Sequence, residues 1–230
     1  MSDYIVTSCK SWHKAAYEKF IKRHPGRWHW VDSPSSLNEA LAKVKPRYIF
    51  FLHWNWKVPK EIWKPYECIC FHMTDLPYGR GGSPLQNLIL AGHKTTKLTA
   101  LRMIEELDAG PIYIKKDLPL NGRAEDIYSA AGKLSFKIIS WIIKANPIPV
   151  EQQGEPTYFQ RRKPIQSQLP FTNDVEKLYD FIRMLDAESY PSAFVKHGKI
   201  RLNLSNARID GTTLTATVTF DLSNEANNEN

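Results

Sequence analysis

The chain has no apolar run approaching the ~18 residues that a membrane-spanning helix requires, and its opening, Met1-Ser2-Asp3-Tyr4, carries no basic stretch followed by an apolar one. A cytosolic protein without a membrane partner is the expectation. Cysteine is scarce, with only Cys9, Cys68 and Cys70 present. An odd count without a C-x-x-C spacing argues against a disulfide framework and against a structural zinc site, so no metal is expected. No G-x-G-x-x-G follows the first apolar segment and no Gly-Lys-Ser/Thr loop occurs, which removes two common phosphate cradles. Gly79-Arg80-Gly81-Gly82 is glycine-rich but has neither spacing. Internal repeats and low-complexity stretches are absent.

What is present suffices for a core. With 42% hydrophobic and 24% charged residues over 230 positions, disorder is excluded for most of the chain, and one main domain with an appendage is expected. A net charge of +7 suits an anionic partner: nucleic acid, a membrane surface, or a phosphorylated or carboxylated small molecule. The basic residues are scattered and their densest run is Arg161-Arg162-Lys163, which ranks nucleic acid as the minority reading.

Apolar periodicity alternates strands and helices through the first part of the chain. Tyr4-Ile5-Val6 reads as a strand, and residues 14–23, repeating Tyr17, Phe20 and Ile21, as a helix. A strand at 28–31 leads to a helix opened by Ser36, with Glu39 completing a capping box. Tyr48–Leu52 and Cys68–Phe71 are apolar enough for central strands covered on both faces. Past the Gly- and Pro-rich loop 73–82, Ser83, Pro84 and Gln86 fit the N-cap, first and third positions of a helix. Strands at 98–103 and 112–115 bracket residues 105–110, and a long helix spans 124–145, ended by Pro147. Beyond Pro149 the texture turns to Gln, Pro and basic residues, with a helix over 174–185 and a hairpin at Asp210-Gly211. The expected organisation is an N-terminal domain over 1–150, a small C-terminal region over 151–222, and a frayed polar tail over 223–230.

An open parallel sheet places ligands at the carboxyl ends of its strands. The loops there are His53-Trp54-Asn55-Trp56-Lys57 and the segment holding His72, Asp75 and Arg80. His72 at a strand end is either a general base or a histidine that merely caps the strand. Asp108 before Ala-Gly is ordinary turn chemistry on its own. Trp54 and Trp56 suit a stacking wall for a flat ring, yet two aromatics around one strand end are more often core or rim packing.

Taken together, these features change in meaning. The stretch from Phe71 to Ile112 carries, in order, His72, Leu76-Pro77, Arg80-Gly81, Pro84, Ala91-Gly92 and Leu107-Asp108-Ala109-Gly110. That order resembles the folate-dependent formyltransferase family, whose members act on methionyl-tRNA, glycinamide ribonucleotide or amino sugars. The resemblance implies a Rossmann-like open, mostly parallel sheet flanked by helices, with a small C-terminal α+β appendage ending in a β-hairpin. It implies 10-formyltetrahydrofolate as formyl donor and an Asn-His-Asp catalytic set, matched here by His72 and Asp108. Cys70 occupies the usual Asn position, and a thiol is a poor hydrogen-bond donor, so Asn55 is the candidate substitute. Folate contacts carried over from the family fall on Trp54, Asn55, Trp56, Lys57 and Val58, and on Arg102, Met103, Ile104, Glu105 and Leu107.

The C-terminal part of the chain narrows the acceptor. After Phe194 roughly thirty-five residues remain, too few for a five-stranded barrel with linkers, which argues against a transfer-RNA acceptor. The expectation is therefore a sugar N-formyltransferase acting on a nucleotide-linked amino sugar, a 4-amino-4,6-dideoxyhexose, for lipopolysaccharide or O-antigen biosynthesis, with no nucleic-acid partner. Thr74, Asp75, Arg80, Gly81, Arg161 and Arg162 are its candidate contacts. A homodimer is expected by analogy alone. The alternatives are a formyltransferase acting on methionyl-tRNA or a carrier-bound amino acid, and a non-catalytic nucleotide- or folate-binding module.

Overall fold

A computed structural model describes residues 1–10, 12–21, 23–188 and 190–221, and the stretch 223–230, expected to be a frayed tail, lies outside them. In chain order the elements are β1 (Asp3–Ser8), α1 (Trp12–Ile21), β2 (Arg27–Val31), α2 (Pro34–Lys43), β3 (Tyr48–His53), α3 (Lys60–Trp63), β4 (Cys68–His72) and β5 (Arg80–Gly81). They continue as α4 (Pro84–Leu90), β6 (Thr95–Arg102), β7 (Ile112–Pro119), α5 (Ala124–Ala145), β8 (Tyr158–Phe159), a 3-10 turn (Pro164–Ser167), α6 (Val175–Arg183), β9 (Ala193–His197), β10 (Ile200–Asp210) and β11 (Thr213–Asp221). None of the described helices is long and apolar enough to cross a membrane.

Two compact units result. The first comprises Met1–Gly81, Thr96–Leu118 and Ser129–Tyr158; the second comprises Gly82–Thr95, Pro119–Tyr128 and the chain from Phe159 onward. In the first, strands run in the order β2-β1-β3-β4-β6-β7. The sheet is parallel from β2 to β4 and turns antiparallel where β6 meets β4. The continuous apolar strands take the central places: Ile5, Ile49, Phe50 and Ile69 are fully buried. Ile5, Val31, Leu37, Ile49, Phe51, Ile62 and Cys68 form one cluster on the sheet. Because β1, β3 and β4 run parallel, with one register shift between Thr7 and Ser8, Ser8, His53 and His72 all finish at one end of the sheet.

The start of α2 corrects the capping expectation. Ser33 is the N-cap, and its Oγ accepts from the Ser36 N–H at 3.2 Å while Ser36 Oγ accepts from the Ser33 N–H at 3.1 Å. Pro34 sets the helical φ at the first position, so the helix starts three residues earlier and Ser36 becomes the third residue rather than the cap. Ser83 does precede α4, but with a left-handed φ of 51° and no side-chain cap. Its hydroxyl accepts instead from the Arg162 N–H at 3.0 Å.

In the second unit α6 is capped by Asp174, whose Oδ1 accepts from the Lys177 N–H at 3.0 Å. The sheet β11-β10-β9 turns at Gly211, whose φ of 55° a glycine adopts without strain. Phe181, Ile182, Met184, Leu185, Ala193 and Phe194 are buried, as are Leu85, Leu88, Leu120 and Ile127 of the same unit. Arg183, also buried, is neutralised by Asp180 at 2.6 Å and donates to the carbonyls of Leu120 and Gly122 at 2.7 and 2.8 Å.

Two residues of the first unit yield measurable expectations. His13 is buried, with its Nδ1 2.6 Å from Ser8 Oγ, and burial pushes its pKa from 6.5 down to about 4. The unfolded chain therefore takes up this proton first, so the stability held by the neutral ring is complete above pH 6.5 and is lost as pH falls towards 4. His13→Asn should shrink the difference in unfolding free energy between about pH 7 and about pH 4 by roughly 3 kcal/mol in urea titrations, and an unchanged acid limb would exclude this ring as its source. At Gly110, a Cβ would lie 1.8 Å from the Arg102 carbonyl oxygen. Gly110→Ala should cost about 3 kcal/mol, read as a lower urea midpoint at unchanged slope.

Candidate active site

His72, the last residue of β4, is held by an acceptor. Its Nε2 lies 2.8 Å from the Gly79 carbonyl oxygen, and since a carbonyl can only accept, Nε2 carries the hydrogen. In the neutral ring Nδ1 is then the basic nitrogen, and it faces Asp108 Oδ2 at 3.6 Å. Both side chains are close to buried, at 9% and 12% exposure, so the attraction that would arise on protonation acts in a weakly screened setting. Asp108 adopts a left-handed φ of 55°, and its Oδ2 accepts from the Gly81 N–H at 3.0 Å. Cys70 stands two residues before His72 with its thiol turned to the Leu101 carbonyl at 3.8 Å. Burial first, and the Asp108 charge second, push that thiol well above its ordinary pKa and keep it neutral.

The two stretches expected to hold a folate converge on the same apolar cluster, where Trp54, Val58 and Met103 all pack. Trp54 meets Trp56 edge-on, with ring centroids 5.0 Å apart. Trp56, Ile104 and Leu107 leave large apolar surface exposed, at 44%, 39% and 70%, which fits a partly apolar flat ring. Asn55, Lys57 and Glu105 are exposed on the same loops. Two backbone N–H groups of the second stretch are already committed, that of Arg102 to Pro111 O at 2.9 Å and that of Met103 to Cys68 O at 2.8 Å. The Arg102 side chain is likewise committed, its Nε donating to Glu67 at 2.6 Å.

The residues assigned to the acceptor are divided. Thr74 is buried and donates to the Gly79 carbonyl at 3.3 Å, a supporting contact to the carbonyl that orients His72. Asp75 pairs with Lys115 at 2.6 Å. Arg80 is buried, and all its side-chain nitrogens have partners: Nη1 meets Glu106 at 2.9 Å, while Nε and Nη2 donate to Gln152 Oε1 at 3.2 and 2.9 Å. Arg161 and Arg162 belong to the second unit. Arg161 is exposed; Arg162 is half-buried, lies 5.7 Å from the Phe181 ring centre and donates to the Gln166 carbonyl, and burial lowers its pKa.

Sequence reasoning did not find the Gly79 carbonyl, Gln152 or the Ser8–His13 pair. A backbone carbonyl has no residue identity to detect. Gln152 had one available signal, its position two residues after an apolar Val150 that follows two prolines, as in a short strand.

Comparison with known proteins bears on the acceptor. The family described as methionyl-tRNA formyltransferase, C-terminal domain, matches residues 164–221. Methionyl-tRNA formyltransferase from Clostridium thermocellum is 43% identical, with a TM-score of 0.93 over 96% of this chain and 99% of that chain. Methionyl-tRNA formyltransferase of Bacillus subtilis (strain 168) is 34% identical over 162 residues, 65% of this chain and 51% of that protein. The chain spans about half the length of the curated relatives it matches. HypX from Aquifex aeolicus in complex with tetrahydrofolic acid shares the fold, with a TM-score of 0.72 at 20% identity over 90% of this chain and 38% of that one.

These findings overturn the expected nucleotide-linked amino sugar, its surface-polysaccharide assignment and the exclusion of nucleic acid, because the similar proteins are named for methionyl-tRNA. The length argument behind that expectation failed for a structural reason. Residues 164–221, which match the C-terminal family, fold as one helix and three strands, without a five-stranded barrel. The extent of the identity to the Clostridium thermocellum protein, over nearly the whole of both chains, establishes that this chain belongs to the formyltransferase family.

Proposed function

We propose that the protein transfers a formyl group from 10-formyltetrahydrofolate to the amino group of methionyl-tRNA. The observation that carries this reading is the end-to-end similarity to a methionyl-tRNA formyltransferase, and the geometry around His72 supplies the chemistry it needs. When bound, the folate supplies a formyl carbon attached to nitrogen, an electrophile for an amine. Trp54, Val58 and Met103, with the exposed Trp56, Ile104 and Leu107, are the residues we assign to holding it.

The attacking amine must lose a proton as its bond to the formyl carbon forms. His72 Nδ1 takes it, being the ring nitrogen that Gly79 leaves free. Asp108, 3.6 Å away, offsets the imidazolium charge. His72 then gives the proton to the departing nitrogen as the old carbon–nitrogen bond breaks, so both charge and protons balance. The neutral thiol of Cys70 is too weak a donor for the developing oxyanion, and the exposed Asn55 amide is the candidate in its place.

The test is formylation of methionyl-tRNA by the purified protein with labelled formyl donor. Labelled formyl-methionyl-tRNA is expected, and its absence under conditions where the protein binds the folate would sink the reading. His72→Ala and Asp108→Ala should each lower kcat about 10³-fold with unfolding midpoints close to the parent's. Retention of full turnover in either variant would remove that residue from the mechanism.

A further inference from the structure

Asp108 holds a backbone conformation that costs a non-glycine residue on the order of 1 kcal/mol or more, with φ at 55°. Such a geometry persists only where its surroundings over-determine it. The carboxylate is fixed by the Gly81 N–H, but a carboxylate anchored at one oxygen can still swing if its backbone shifts. The backbone is fixed by Gln152. Its Nε2 donates to the Asp108 carbonyl at 2.8 Å and to the Gly110 carbonyl at 2.9 Å, so the two amide hydrogens bracket the turn on either side of Ala109.

The Gln152 amide is itself held. Its Oε1 accepts from Arg80 Nε and Nη2, at 3.2 and 2.9 Å. A guanidinium only donates and a carbonyl only accepts, so one amide orientation satisfies both sides. The charge on Arg80 polarises the amide and strengthens its two donations. Arg80 also reaches Glu106, two residues before Asp108, at 2.9 Å. The segment carrying Gln152 is registered by a bridge in which the Ile112 and Val150 backbones exchange hydrogen bonds of 2.7 and 2.9 Å. All of these residues lie in the first unit.

We infer that Gln152 is a positioning residue: clamped by Arg80, it sets the Asp108 turn and through it the carboxylate that faces His72. Every polar atom of its side chain is bonded within the protein, so it acts through Asp108 and not on substrate. The inference rests on the proposed formyl transfer for its kinetic consequence, and on the hydrogen bonds alone for its structural one.

Gln152→Glu keeps the size and the bond to Arg80 but turns an oxygen towards two carbonyls; Gln152→Ala removes the clamp. Gln152→Glu should lower kcat about 100-fold while both KM values stay within about threefold, since a misplaced general-base partner affects the transition state and not substrate binding. In an Asp108→Ala background the same substitution should add no further loss, because its effect travels through the missing carboxylate. Independently of activity, amide exchange at Gly81, whose N–H is held by Asp108, should accelerate at least about tenfold in Gln152→Ala. A kcat within about threefold of the parent, an additional loss on top of Asp108→Ala, or unchanged exchange at Gly81 would each overturn the inference. Should the parent protein show no formyl transfer, the proposed function fails on that result and the exchange measurement alone decides the role of Gln152.

Discussion

A carbonyl oxygen has no hydrogen to give, and the Gly79 carbonyl sits 2.8 Å from His72 Nε2. The neutral imidazole therefore places its one hydrogen there and leaves Nδ1 as a base. The loop that carries this carbonyl is correspondingly well held. Gly79 takes a φ of 72°, its N–H donates to Thr157 Oγ1 at 2.7 Å, and the next N–H, of Arg80, donates to the Thr157 carbonyl at 2.9 Å. The Thr157 N–H returns to the Pro77 carbonyl at 3.2 Å. A loop rich in glycine and proline is rigid at this point because a distant segment reads its backbone.

The other side of His72 is organised by the same device. Asp108 is presented on a turn whose carbonyls are bonded to Gln152 and whose glycine lets the chain pass the Arg102 carbonyl where no Cβ would fit. One imidazole thus stands between two irregular segments, each fixed by hydrogen bonds from residues 152–157. The regular sheet contributes position: β4 ends at His72, and β6 pairs alongside with Thr99 opposite it. Thr99 Oγ1 donates to the Thr74 carbonyl at 2.6 Å and ties the loop back to the sheet.

The layered fold was legible in the sequence because its signals are local. Tyr48–Leu52 is apolar throughout and becomes a central strand; residues 124–145 keep a helical period up to the residues before Pro147 and form α5. The position of α2 was misread by three residues, because Ser36 looks like a cap whenever the constraint imposed by Pro34 is not weighed first. His72 and Asp108 emerged only through their order within a family pattern. Their support was beyond reach, since Gly79 acts through a carbonyl that any residue possesses, and Gln152 is forty-four positions from Asp108 in the chain.

The acceptor was misjudged for a different reason. A net charge of +7 favours phosphates, and a sugar nucleotide and a transfer RNA both carry anionic phosphates. Charge is degenerate between them, so the decision passed to the length of chain beyond Phe194. That criterion assumed a barrel. Among the described residues Phe181, Ile182, Met184, Leu185 and Phe194 are buried without one, in a unit that also takes in residues 82–95 and 119–128, and Arg183, held by Asp180 and two carbonyls, ties α6 to residues 120–122. The number of residues beyond Phe194 therefore carries no information about the acceptor.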